Sequence, residues 1–449
     1  MSISTEEGTG GERPSRWPRR RVLRWALGLA PVVAGGGWAA SEWLGGREVV
    51  GTGGDTWSER DQEAAWFCFA GHPDASFKVE LRFSSPTPNP RAWLLRACLS
   101  MQEGRWDSAR RALAFPEVRN TPEARLLLEL AERRPSASDW RHAFFEAWQA
   151  LGRPDFRKSL LLPAPLALNY LLADIGAVWG TVDETRRFSL AVLHLVWAEP
   201  RQEWMLEQVR ASSSVPLLMA LREQLIALEG QASVRQFLLP EVEARLGQLA
   251  GPSPRTLQLA LVSLLAGKPR TAPFERRDLE ALEKFVTLPD WKQPASEPFF
   301  LEMRALFNGL MPTPAHHAFL LASSAQAASL GEWLIQRARA SKAHLSEDEQ
   351  RWMGRLLWEV GARLYEQRSA VEMDAGLRLQ MSGSELMQHV PTHERSIAAW
   401  VELGRWEDGL KQAGFYRWPL LSLQEESCES RIRDERAWMK AFAGTGELP

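Results

Sequence analysis

The 449-residue sequence predicts an all-α protein, on three observations. Helix-start signals recur along the chain, apolar residues between them fall at three- and four-residue intervals, and strand-like alternation is nearly absent. Ser346-Glu347-Asp348-Glu349 and Thr181-Val182-Asp183-Glu184 read as capping boxes, in which hydroxyl and carboxylate each satisfy an orphan backbone N–H. Thr121-Pro122, Ser253-Pro254 and Thr313-Pro314 place a capping hydroxyl before a proline, whose missing N–H costs nothing in a first helical turn. Amphipathic runs extend over Ala124 to Glu132, Phe188 to Trp197, Leu217 to Leu228, Leu257 to Leu265 and Trp352 to Tyr365. The one alternating segment, Phe77 to Phe83, is expected as an isolated strand or extended connector.

Composition narrows the function classes. Lys plus Arg number 54 against 56 Asp plus Glu, a formal charge of −2, so nothing global points to nucleic acid. Hydrophobic residues at 45% and charged residues at 24% exclude wholesale disorder and a polytopic membrane protein. Cys68, Cys98 and Cys428 form no C-x-x-C pair and lack histidines at zinc spacing, so they are expected as buried apolar residues; any disulfide among them stays unassigned.

The N-terminus carries an address. Six arginines and no acid lie between Arg13 and Arg24, and an apolar stretch runs from Trp25 to Ala40. Residues 1–21 are expected as a basic cytoplasmic tail, 22–44 as a signal anchor or transmembrane helix, 45–56 as a glycine-rich linker and 57–449 as the helical body. Arg19, Arg20, Leu23 and Arg24 resemble the twin-arginine export motif, with Pro18 where that motif has Ser or Thr. Retained, this segment tethers a body on the periplasmic side of a bacterial membrane; cleaved near Ala39, it releases an exported soluble protein.

The most informative internal segment is Trp93 to Leu113. Trp93, Ala97, Gly104, Trp106, Ala109 and Leu113 give two helices meeting at a glycine corner, with alanines at close approach and aromatics beside them. This pattern resembles the tetratricopeptide repeat. The resemblance implies an α-solenoid of degenerate helical hairpins, the first over 90–133, that binds another protein along its groove. Arg96 and Ser100 stand where the family prefers Leu and Tyr, and are expected to contact the partner. Gly404-Arg405-Trp406 repeats Gly104-Arg105-Trp106 and predicts a second hairpin over 392–413, while Gly331, Gly152 and Gly267 give fainter copies, the last with Ala260 and Ala272 at small positions.

Catalytic and metal motifs are missing. His316 and His317 are adjacent and point about 100° apart on a helix, so they are expected as solvated residues at a capped helix start. His389 and His393 are separated by Pro391, which interrupts a continuous helix. No Walker, Rossmann, zincin or nucleophile-elbow pattern occurs, so no catalytic residue, cofactor or metal is expected. The 21 tryptophans against 3 tyrosines are expected mainly as packing between helices. The alternative is an exported helical toroid acting on glycans, for which Asp139, Glu146, Asp183 and Glu184 are the available acids.

Overall fold

The computed structural model describes Trp57, Gln62, Ala65, Trp66 and residues 89–165, 178–193, 195, 201–228 and 232–448, apart from 270, 293–294, 312, 327–328 and 447. The tail, anchor, export motif and linker, the 77–83 alternation and Cys68 all lie outside the described residues. Those that are described are all-α. No strand forms among them; one parallel bridge joins Thr256 to Asp290. None of the described helices is long and apolar enough to cross a membrane.

Two helical hairpins open the fold: α1 (Pro90–Gln102) with α2 (Trp106–Leu113), and α3 (Pro122–Arg133) with α4 (Trp140–Ala150). A middle section comes next, with α5 (Glu184–Leu193), α6 (Gln202–Ala211), α7 (Val215–Ala227), α8 (Ala232–Ala250), α9 (Leu257–Leu265), α10 (Arg276–Val286), α11 (Ser296–Phe307), α12 (Pro314–Ser324) and α13 (Ser329–Ser341). Four long helices close the chain: α14 (Glu347–Tyr365), α15 (Ala370–Leu386), α16 (Val390–Gln412) and α17 (Leu421–Phe442). The last of these changes direction at Asp434 (φ −156°, ψ 81°), whose carboxylate then accepts the Ala437 N–H at 2.9 Å and caps the resumed helix.

The start signals hold where a side-chain oxygen can reach the second or third helical N–H. Ser346 and Glu349 complete a reciprocal capping box, and Thr121 accepts from Ala124 at 3.2 Å. Three differ from expectation. Asp183, not Thr181, caps α5, accepting the Arg186 N–H at 2.9 Å; Thr181 instead donates to Val178 at 2.8 Å. Ser253-Pro254 starts nothing, because Thr256 takes the cap of α9 and accepts from Leu259 at 3.4 Å. Thr313 does begin α12 but turns its hydroxyl to His317 at 3.1 Å.

The second predicted hairpin is corrected. Helix α16 runs unbroken through Gly404, which lacks a left-handed φ and has open space where a Cβ would stand. Gly104, by contrast, sits at φ +72° between α1 and α2, where glycine adopts the left-handed turn without steric cost. The difference lies in the neighbouring apolar residues: Leu403, Trp406 and Leu410 all lie on the buried face of one helix, so breaking it at Gly404 would expose them. Gly331 likewise lies inside α13, packed on Ala375 of α15. Gly152 and Gly267 do make left-handed corners, at φ +76° and +67°. Ala260 is buried in α9, but Ala272 falls in the connection before α10.

Two apolar cores form. Helices α1 to α4 share one with Met373 and Leu377 of α15 and with α16 and α17, while α5 to α15 and Cys428 make the other. The first core is rich in aromatics: Phe144 meets Phe415 edge-on at 5.4 Å, and Phe415 in turn meets Trp438 at 5.1 Å. Trp148, Trp418 and Trp438 are fully buried there, as the packing reading expects. Each such side chain contributes about 1.5–3 kcal/mol by leaving water.

The first two hairpins and the segment after them are joined to the C-terminal part of the fold by contacts that an open stack of neighbours would lack. Gln102 and Ser422 exchange two hydrogen bonds at 2.8 and 3.1 Å, and Glu426 accepts the Trp140 N–H at 2.7 Å. Arg417 donates to five main-chain carbonyls, those of Phe156 (2.8 Å), Arg157 (3.0 Å), Ser159 (2.6 Å), Leu162 (2.7 Å) and Pro163 (2.9 Å). A planar guanidinium has the donors for this and a lysine does not.

Candidate functional site

The first hairpin places its motif residues by their size. Ala97, Ala109 and Leu113 are fully buried where the two helices meet. Trp93 lies partly buried and stacks on Phe115 at 3.6 Å with an interplanar angle of 10°, while Trp106 stands 5.8 Å from Trp140 in the next hairpin. The Arg96 guanidinium carbon lies 4.8 Å from the centre of the Trp93 ring, a cation–π distance. Ser100 is 8% exposed, and its carbonyl accepts the Arg105 N–H at 2.8 Å to close the corner. Of the two residues expected to contact a partner, Arg96 therefore lies beside the surface aromatics, whereas Ser100 is inside the corner and offers no surface of its own.

A broader surface lies elsewhere. A depression of about 680 Å³ opens where α10, α14 and the corner between α15 and α16 meet, lined by Glu283, Arg351, Trp352, Arg355, Met387 and His389. Glu283 orients two of its walls, accepting from Trp352 Nε1 at 3.2 Å and from Arg355 at 2.6 Å. Arg351 reaches Glu347 at 3.1 Å and Asp348 at 2.9 Å in the same first turn. Arg355 stands four places after Arg351 and three after Trp352, which brings these wall residues of α14 to one side of the helix. The corner is sharp because Gln388 takes a left-handed φ of 55°. His389 then caps α16, its Nδ1 accepting the Thr392 N–H at 3.3 Å.

From His389 the surface continues onto α16. Val390, Ile397 and Val401 are 64%, 39% and 45% exposed. They stand seven and four residues apart on a shared face spanning about 16 Å at 1.5 Å per residue. The opposite face holds the helix in place through Leu403, Trp406 and Leu410, and Trp400 Nε1 donates to Asp374 at 2.8 Å. No sequence motif marks this depression, because its residues come from segments over a hundred positions apart. The apolar face of α16 was readable from its spacing.

Apart from His389, the histidines and acids noted in the sequence do not line this depression. His316 is partly buried and His317 fully buried, so neither is solvated as expected: Glu425 on α17 holds His316 Nδ1 and also accepts the backbone N–H groups of Ala315 at 3.0 Å and His316 at 3.1 Å. Burial disfavours charge on His316, but Cys428 and Glu425 outweigh it and push the group up to about 10. His317 is fully buried against Thr313 and Phe307. Pro391 lies in the first turn of α16, so His389 and His393 bracket a helix start. Asp139 caps α4 and binds Arg141 and His142; burial raises its carboxyl, yet those hydrogen bonds hold it below the usual carboxylate range. Glu146 faces Arg133 at 3.7 Å, and Asp183 caps α5, whose first residue is Glu184. Cys98 and Cys428 are free and belong to different cores. Among the described residues no group of three potential metal ligands converges. No family model, curated protein or solved structure matches the chain.

Proposed function

We propose that this protein is a membrane-tethered helical scaffold, opening on tetratricopeptide-like hairpins against which its last helices return, that presents a docking surface outside the cytoplasm to a protein partner. The observation that carries the docking reading is the depression around Trp352 with the exposed apolar face of α16 continuing from it. Aromatic and arginine side chains beside an apolar strip are the composition of interface centres. The arginine-rich start followed by the apolar stretch from Trp25 to Ala40 supports the tether.

A photo-crosslinking residue placed at Val401 in cells should give one discrete adduct, and Ile397→Asp should abolish it without lowering the thermal midpoint. Adducts that persist unchanged in Ile397→Asp would overturn the docking surface. The first hairpin is tested separately: Arg96→Glu should weaken capture of the same partner while the hairpin stays folded. An intact N-terminus in detergent-extracted protein, read by mass spectrometry, is expected for the tether; recovery of the full chain in an alkaline wash would refute it. A second reading, an exported protein acting on glycans, draws on Trp352 standing beside Glu283 and two arginines. Turnover of cell-wall polysaccharide would favour it over the scaffold.

A further inference from the structure

Helix α16 is seated by a buried acid. Glu407 is 6% exposed, on the face of α16 that packs against α15 and α17. Two residues on and about 200° round the helix, Gly409 lies so close to α17 that a Cβ there would stand 2.6 Å from the Phe442 carbonyl carbon, so α16 is packed tightly on α17 on that side. Among the described residues, the ion pair made by Glu407 is with Lys411, at 3.9 Å, a residue one turn away whose side chain is 36% exposed.

The other charged groups facing this position do not compensate. From α15 comes Asp374, already engaged by Arg378 at 2.8 Å. From α17 comes Glu435, bound to Arg431 at 2.7 Å and to the Ala370 N–H at 2.8 Å, while Lys440 lies over the Trp406 ring. Asp408 is the neighbouring acid on α16, and Tyr416 approaches from the turn beyond it. The cations of α15 and α17 are therefore committed to other partners, and a charge on Glu407 would add a further anion to a buried seam.

We infer that Glu407 is a proton-operated latch: carrying its proton, it lies in the seam of α15, α16 and α17 as a neutral acid, and losing the proton loosens α16. Burial, opposed by Lys411 and reinforced by Asp374, Glu435 and Asp408, pushes the group up to about 8. The native state thus holds a proton that the unfolded chain has released above its ordinary value near 4.5. Stability contributed by this group is greatest below that value and declines as pH rises through about 8. The same helix carries Val390, Ile397 and Val401, so the latch also regulates the proposed docking face. That consequence rests on the docking reading; the latch itself does not.

The test compares the full chain with Glu407→Gln, a neutral isostere, from pH 4 to pH 9. The difference in thermal midpoint between variant and parent should be within about 1 °C at pH 4, where both native and unfolded chains hold the proton, and grow to about 2–5 °C in favour of the variant by pH 9. Hydrogen exchange of the α16 amides after Leu403 should be slower in the variant than in the parent at pH 9 and equal at pH 4. A midpoint difference that stays constant across this range would overturn the inference. If Glu407→Gln fails to fold, Lys411→Met serves: it should lower the midpoint at pH 9 and leave it unchanged at pH 6, and an equal effect at both would overturn the latch. Loss of the Val401 adduct at pH 6 alone would count against the docking face and leave these outcomes intact.

Discussion

Two hairpins in this molecule use glycine in opposite ways. Between α1 and α2, Gly104 sits in the turn, and the helices are held apart by side chains: Ala97 and Ala109 at the contact, Trp93 and Trp106 at its margins. Between α14 and α15 the glycines lie inside the contact. Gly354 opposes Gly383 and Gly361 opposes Gly376, seven residues apart along each of two antiparallel helices. A Cβ on Gly361 would stand 2.5 Å from the Gly376 carbonyl oxygen, and one on Gly354 would stand 2.6 Å from that of Gly383. Backbones this close exchange dispersion and weak Cα–H···O contacts where the glycines face each other. A turn glycine contributes conformational freedom at one residue; a paired contact glycine sets the distance between two helices.

The largest expected effect comes from breaking one of these pairs. Gly376→Val should cost about 4 kcal/mol or more, because its Cβ meets main-chain atoms of Gly361 and Tyr365 that cannot move aside; denaturant unfolding measures it. Wild-type stability in this variant would show that the helices separate freely. Arg417→Met is next, with a loss of about 3 kcal/mol, since five carbonyls of the 156–163 segment lose their donor. Limited proteolysis should then cut in that segment first.

Titration sharpens the contrast between side-chain and backbone contacts. His316 has a native value near 10 against an ordinary 6.5, so its contribution is complete below pH 6.5 and lost as pH rises towards 10. His316→Gln should flatten the pH dependence of the thermal midpoint over that window and leave Gly376→Val equally damaging at every pH. Gly104→Ala should cost only about 1 kcal/mol, as it is strained at φ +72° but meets open space. Gly404→Ala, inside α16 with nothing near its Cβ, should stabilise by about 0.5–1 kcal/mol. Equal costs at 104 and 404 would mean that both are corners, as the repeated Gly-Arg-Trp sequence predicts.

The first hairpin was legible because its determinants are local. Trp93, Ala97, Gly104, Trp106 and Ala109 lie within a span that one supersecondary unit occupies, and their sizes specify how it packs. The same three-residue phrase at Gly404 misled, since a glycine that tolerates a turn also tolerates a helix and only the burial of Leu403, Trp406 and Leu410 decides between them. His316 looked solvated for a related reason: its partners Glu425 and Cys428 lie over a hundred residues away.

The helical class, most helix starts and the apolar faces are written in the order of the residues, because capping, proline placement and a 3.6-residue period act within a turn or two. Which helices touch is settled only on folding. The return of α17 onto α4, the glycine pairs of α14 and α15, the depression around Trp352 and the isolation of Glu407 each bring together residues distant in the chain. Their energies come from close packing and from charge removed from water, and both depend on a neighbour that no local pattern names.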